Sequence, residues 1–264
     1  MQGSLRSTIK RRLPRVLLLL YRLWQQRDFR DTVSAFRFLA TPTPMASLPA
    51  RLRLLERIYE VNAGIDCLHT QDEMLQITRA ILDVPSDVPG CVVEAGCFKG
   101  GSTAKFSITA KHSRRQLFVF DSFEGLPENT EQHKPTIFGE VPNFSRGQYR
   151  GPLEQVKRNV SMFGDGDVCV YVKGWFDETM PQFSQPIIAA YIDVDLVSST
   201  RTCLKYLYPL LQPGAYLYSQ DAHLPLIIQL LEDSEFWEKE IGCPKPVIAG
   251  LGEKKLVRIQ KPLS

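Results

Sequence analysis

Cys91-Val92-Val93-Glu94-Ala95-Gly96-Cys97-Phe98-Lys99-Gly100-Gly101-Ser102 reads as a short buried strand, a glycine-rich turn and the start of a helix. Val92 and Val93 are β-branched, which suits a strand covered on both faces. Gly96 permits a tight turn that a side chain would obstruct, and Gly100 and Gly101 let a ligand approach the backbone. Ser102 or Thr103 is the expected cap of a helix over 103–111. About twenty residues later, Leu117-Phe118-Val119-Phe120 ends in Asp121. Strand, glycine turn, helix, second strand and terminal acid form the nucleoside-binding half of a doubly wound fold, the acid accepting the ribose hydroxyls.

The turn departs from the dinucleotide fingerprint Gly-x-Gly-x-x-Gly, because Phe98 stands at its second glycine. A nicotinamide-dependent dehydrogenase is therefore the weaker reading. S-adenosylmethionine fits better: it has an amino-acid end that the Glu94 carboxylate and the turn amides can hold, and no pyrophosphate needing a helix N-terminus.

Outward from this unit, strands and helices alternate, which predicts a mainly parallel sheet with helices on both faces. Strands are expected at 91–95, 117–120, 168–172, 187–192, 215–219, 246–249 and 255–260. Helices are expected at 103–111, 152–163, 177–182, 199–211 and 224–239. Only Gly250-Leu251-Gly252-Glu253-Lys254 separates the last two strands, which implies an antiparallel hairpin closing the sheet. The expected fold is α/β: a Rossmann-like, seven-stranded class I methyltransferase sheet with a C-terminal hairpin and an N-terminal helical extension.

The 264 residues suffice for one α/β domain with an appendage. We divide them into an extension with a proline linker (1–45), a helical cover (46–90) and the α/β core (91–264). In the cover, Leu52, Leu55, Ile58 and Tyr59 recur at helical spacing, and Thr70-Gln71-Asp72-Glu73 forms a capping box for a second helix. A net charge of +3 without an aromatic-interleaved basic stripe argues against nucleic acid. The six cysteines have no zinc spacing, so a reducing cytoplasm without disulfides is expected. In residues 10–31 basic side chains interrupt a short apolar run that cannot span a bilayer. Two readings stay open: an amphipathic helix on the body or on a second subunit of a homo-oligomer, or peripheral contact with an acidic membrane surface. Residues 122–151 form a long polar segment, read as a substrate-covering lid with Phe144, Arg146 and Tyr149 as candidate contacts.

Four ordered blocks share one resemblance. They are Glu94-Ala-Gly-Cys-Phe-Lys-Gly-Gly-Ser102, Asp121-Ser-Phe-Glu-Gly-Leu-Pro127, Lys173-Gly-Trp-Phe-Asp-Glu-Thr179, and Asp193-Val-Asp-Leu-Val-Ser-Ser-Thr200 followed by Leu207-Tyr-Pro-Leu-Leu-Gln-Pro-Gly214. Over roughly residues 60 to 240 the chain resembles the macrocin O-methyltransferases, natural-product enzymes that methylate sugar hydroxyls on macrolides and aminocoumarins. The resemblance implies S-adenosylmethionine held by Glu94, Ala95, Gly96, Cys97, Gly100, Ser102, Asp121 and Ser122. Gly174 and Trp175 would lie near the adenine and Asp193 near the reacting end. It also implies magnesium on an acid ending the fourth strand and two adjacent acids ending the fifth, here Asp193, Gln220 and Asp221. Such an ion would lower the pKa of a bound hydroxyl and aim it at the methyl group. Asp193 is also the candidate base. Gln220 replaces one family acid and removes a charge from the set. His223 is a further ligand or base candidate, and Asp195 is expected to support the loop.

The expected function is methyl transfer from S-adenosylmethionine to a hydroxyl of a small sugar or polyketide-like acceptor. Alternatives are a metal-independent methyltransferase with Asp193 or His223 as base, and a non-catalytic cofactor-binding scaffold.

Overall fold

In the computed structural model, which describes residues 29–263, three helices precede the sheet: α1 (Phe29–Ala40), α2 (Leu48–Val61) and α3 (Gln71–Asp83). The basic segment read at 10–31 lies outside the described residues except for its last three. At α3 the capping box is complete: Thr70 Oγ1 accepts from Glu73 N, and the Glu73 carboxylate accepts from Thr70 N at 2.7 Å. Ala35 and Phe38 of α1 and Leu55, Ile58 and Tyr59 of α2 bury their apolar faces in one core with Met74, Ile77 and Ile81 of α3. No helix among the described residues is long and apolar enough to cross a membrane.

From residue 91 the chain alternates as β1 (Cys91–Ala95), α4 (Gly101–His112), β2 (Leu117–Asp121), α5 (Leu153–Phe163), β3 (Cys169–Lys173) and α6 (Phe176–Thr179). It continues as β4 (Ile187–Ile192), α7 (Val197–Leu207), β5 (Leu211–Ser219), α8 (Pro225–Glu232), β6 (Ile248–Ala249) and β7 (Val257–Gln260). The strand order is β3-β2-β1-β4-β5-β7-β6. β1 to β5 run parallel, and β7 pairs antiparallel with both β5 and β6. The topology therefore reverses between β1 and β4, where an open α/β sheet offers its crevice.

Period-two alternation sends neighbouring strand residues to opposite cores. Val92, Leu117, Val119 and Ile188 face the helices α1 to α5, whereas Val93, Phe120, Ile187 and Ala190 face α7, α8 and Trp237.

Local chemistry moves several boundaries. Helix α4 begins at Gly101, behind Gly100 as N-cap at φ +84°, so Ser102 and Thr103 lie inside its first turn and cap nothing. The helix expected at 199–211 stops at Leu207 and gives way to a 3-10 turn, Tyr208–Leu210, containing Pro209. Strand β5 consequently starts at Leu211 rather than 215. The helix expected over 224–239 breaks at Asp233, whose carboxylate accepts from Glu235 N and Phe236 N and opens a new turn.

The long β2–α5 connection is folded back on itself. Leu126 N donates to Gln148 O, and Gly147 N to Leu126 O, both at 2.9 Å. Glu131 reaches across to α7, where its two carboxylate oxygens accept from Val197 N and Ser198 N at 2.9 Å.

Candidate active site

The carboxyl ends of β1, β2 and β4 surround one cavity open to solvent. Its floor is the turn after β1. Gly96 has φ +83°, and a side chain there would put Cβ 1.9 Å from Asp193 O, so only glycine lets β1 and β4 end this close together. Asp121 ties the next two turns to this floor. Its Oδ2 accepts from Cys97 N at 2.8 Å and its Oδ1 from Phe123 N at 2.7 Å. Gly174 N donates to Asp121 O at 3.1 Å, which brings the β3 end and Trp175 alongside. Three non-glycine residues on the cavity wall hold left-handed backbone: Phe98 (φ 46°), Tyr149 (φ 57°) and Asp195 (φ 62°). Strain of this kind collects at functional sites.

Gly96, Cys97, Ser102, Asp121, Ser122, Gly174, Trp175 and Asp193 all line this cavity. Glu94, Ala95 and Gly100 stand behind its wall. Glu94 is fully enclosed, and both carboxylate oxygens lack a partner in hydrogen-bonding geometry. Burial pushes its pKa up to about 8; the nearby Ser102 and Thr103 hydroxyls favour the charged form only in part. A Cβ at Gly100 would meet Val156 at 3.0 Å and Val160 at 3.3 Å, so this glycine admits α5 rather than a ligand. A Cβ at Gly101 would lie 2.5 Å from Cys67 Sγ, so that glycine admits the cover loop.

The acid end is built by β4 and β5. Asp193 is half-buried, its Oδ2 accepts from Tyr191 Oη at 3.0 Å, and desolvation together with the neighbouring Asp221 pushes its pKa up to about 7. Asp195 is raised for the same two reasons, with Asp193 adding to them. Asp221 does not reach the cavity: its Oδ2 accepts from Val194 N and Asp195 N, both at 2.9 Å, and so fixes the loop that carries Asp193 and Asp195. Gln220 is buried with neither amide atom bonded. His223 lies off the cavity wall, stacked with Phe138 at 6.2 Å, and burial lowers its pKa. Of the lid residues, Tyr149 lines the cavity, Phe144 packs edge-on to His133 at 4.8 Å, and Arg146 faces solvent beside Glu128.

Magnesium does not fit this donor set. Among the described residues no three His, Cys, Asp or Glu side chains converge on a point that would hold a metal ion. Asp221 spends an oxygen on two backbone amides, and Gln220 contributes no charge. We therefore derive no step through a metal.

Three further residues of the site carry no motif in the sequence. Lys255, before β7, lines the cavity beside the aspartates. His69 also lines the cavity and is held by the buried Lys105, whose Nζ lies 3.0 Å from His69 Nε2 and donates to Gln71 Oε1 at 3.1 Å. Burial, with Lys105 and Lys255 nearby, pushes the His69 pKa well down, and burial brings Lys105 down to about 8. Glu131, the anchor of the lid, is the third.

Residues 68–239 match the family model described as Macrocin-O-methyltransferase (TylF). The 8-demethyl-8-(2,3-dimethoxy-alpha-L-rhamnosyl)-tetracenomycin-C 4'-O-methyltransferase of Streptomyces olivaceus is 34% identical over 140 residues, covering 51% of this chain and 53% of that protein. The mycinamicin III 3''-O-methyltransferase of Micromonospora griseorubida is 32% identical over 149 residues, covering 52% and 57% respectively. The chain thus spans little more than half the length of these curated relatives. The solved structure of the O-methyltransferase NovP superposes with a TM-score of 0.63 at 22% identity, over 76% of this chain and 84% of that one, a likeness of fold.

Proposed function

The chain belongs to the macrocin-O-methyltransferase family, and from that premise we propose that it transfers the methyl group of S-adenosylmethionine to a hydroxyl of a small glycosylated or polyketide-like natural product. The observation that carries this reading is the shared cavity, which has a nucleoside-type acid at one end and a proton acceptor of shifted affinity at the other. Four aspartates, Asp66, Asp121, Asp193 and Asp195, line it against one lysine. An acidic cavity in a chain of net charge +3 suits a cationic sulfonium donor.

The residues fit that donor. Asp121 takes the ribose hydroxyls, and the half-buried Trp175 offers its indole to the adenine. The Gly96–Cys97 turn, which could hold no side chain at Gly96, receives the amino-acid end. Bound there, S-adenosylmethionine supplies an activated methyl group on sulfur. Asp193 is the base: with its pKa pushed up to about 7 it is about half ionised at neutral pH and basic enough to take a hydroxyl proton. The 122–151 segment, anchored through Glu131 on α7, positions the acceptor and excludes water. The curated relatives are named for O-methylation of a rhamnosylated tetracenomycin C and of mycinamicin III, which supports a small glycosylated natural product as the acceptor class.

Calorimetric titration with S-adenosylhomocysteine tests the first half of this reading. We expect one site with a micromolar dissociation constant, weakened by Asp121→Ala. Incubation with S-adenosylmethionine and a panel of rhamnosylated aglycones, read by mass spectrometry, tests the second. An absence of homocysteine-product binding refutes the methyltransferase reading outright.

A further inference from the structure

Lys255 lies beyond the residues matched by the family model, immediately before β7. The turn that delivers it is tight: Gly250 and Gly252 have positive φ, and Glu253 N and Lys254 N both donate to Gly250 O. Lys255 is then tied to the end of β5, its carbonyl accepting from Ala222 N at 3.2 Å, one residue past Asp221. Among the described residues it is the one lysine or arginine lining the cavity, which Asp193 and Asp195 line too. Its side chain thus shares one cavity with Asp193, Asp195 and His69.

A positive charge at that spot changes what the acid end can bind. A divalent cation held by Asp193 would have to share the space with an ammonium, with Gln220 supplying no compensating charge and Asp221 committed to Val194 N and Asp195 N. The same ammonium meets the need that a metal would otherwise meet, a fixed positive charge beside an oxygen that is losing its proton.

Building on the methyltransferase reading above, we propose that Lys255 takes the place of the divalent cation at the acid end, contacting the acceptor oxygen so that methyl transfer proceeds without a metal. The acceptor O–H bond breaks and its proton passes to the Asp193 carboxylate. The O–CH3 bond forms as the S–CH3 bond breaks, and the bonding pair of that bond stays on sulfur. Lys255 keeps its protons throughout and offsets the charge that builds on the oxygen.

Manganese binding, read by electron paramagnetic resonance on the full chain saturated with S-adenosylhomocysteine, tests this without knowledge of the acceptor. The wild type is expected to take up no stoichiometric Mn2+. Lys255→Met should bind it at least ~10-fold more tightly than wild type, and Lys255→Met with Gln220→Glu more tightly again. S-adenosylhomocysteine binding retained within about 2-fold shows that each variant is folded. Stoichiometric Mn2+ on the wild type that Asp193→Asn abolishes would overturn the proposal. So would a double variant that gains no affinity, since Lys255 would then not be what excludes the ion. Failure of the wild type to bind S-adenosylhomocysteine would instead count against the underlying function, and the metal result would stand apart from it. Where an acceptor from the panel turns over, EDTA should leave the rate unchanged. Lys255→Met should lower kcat ~100-fold and Lys255→Arg restore part of it.

Discussion

Replacing Glu94 by glutamine should make the stability of this protein less dependent on pH. Glu94 ends up inside the sheet with no exposure and with both oxygens unpartnered, so burial favours the protonated acid. Its pKa rises from the ordinary 4.5 to about 8. The folded chain therefore binds a proton at this site more tightly than the unfolded chain does. The associated stability is complete below about pH 4.5 and is lost as pH rises through about 8. At ~1.4 kcal/mol per pH unit the whole span corresponds to roughly 5 kcal/mol, a ceiling that relaxation of the site would reduce to about half. Glutamine has nearly the same shape and does not titrate. Relative to wild type, Glu94→Gln should thus be ~2–4 kcal/mol more favourable at pH 9 than at pH 5, about 1 M in urea midpoint for a chain of this size. The assay is urea unfolding followed by tryptophan fluorescence at several pH values, without added ligand. Parallel pH dependences for the two proteins would refute the reasoning, because they would mean that Glu94 reaches solvent or a partner.

Asp121→Ala strands Cys97 N and Phe123 N together; at ~1.5–3 kcal/mol for each charge-assisted bond, S-adenosylhomocysteine affinity should fall at least ~10-fold by calorimetry. Glu131→Gln leaves the α7 N-terminus with a neutral cap, which should lower stability by ~1 kcal/mol and Tm by ~3 °C and raise amide exchange across 122–151. Gly96→Ala forces a Cβ to 1.9 Å from a backbone oxygen at φ +83°, and loss of ~3 kcal/mol or more should show as loss of soluble protein. With Asp193 as base, kcat should rise with pH and level off above about 7.

What could be read from the sequence was local. The run from Cys91 to Asp121 announces itself through residues that agree with their neighbours: β-branched residues in the strand, glycine at 96 and 100 where φ is positive, an acid where β2 ends. The Thr70–Glu73 capping box is likewise contained within four residues, and both of its bonds form. Competition between local signals hid other features. The apolar period of 224–239 suggested one helix, but Asp233 satisfies two amides of the following turn and ends it. Long-range pairing hid the rest. Lys255 comes to the cavity only because β7 runs antiparallel to β5, setting Val257 opposite Ser219. Glu131 finds its partners more than sixty residues further along the chain. Gly100, which in sequence looks like an opening for a ligand, faces two valines of a helix that begins fifty residues later. Charge makes the same point: a net +3 describes the surface the chain presents as a whole, while the cavity collects four aspartates from the cover loop and the ends of β2 and β4. Composition bounded the partners of the exterior, and only the topology determined the charge of the site.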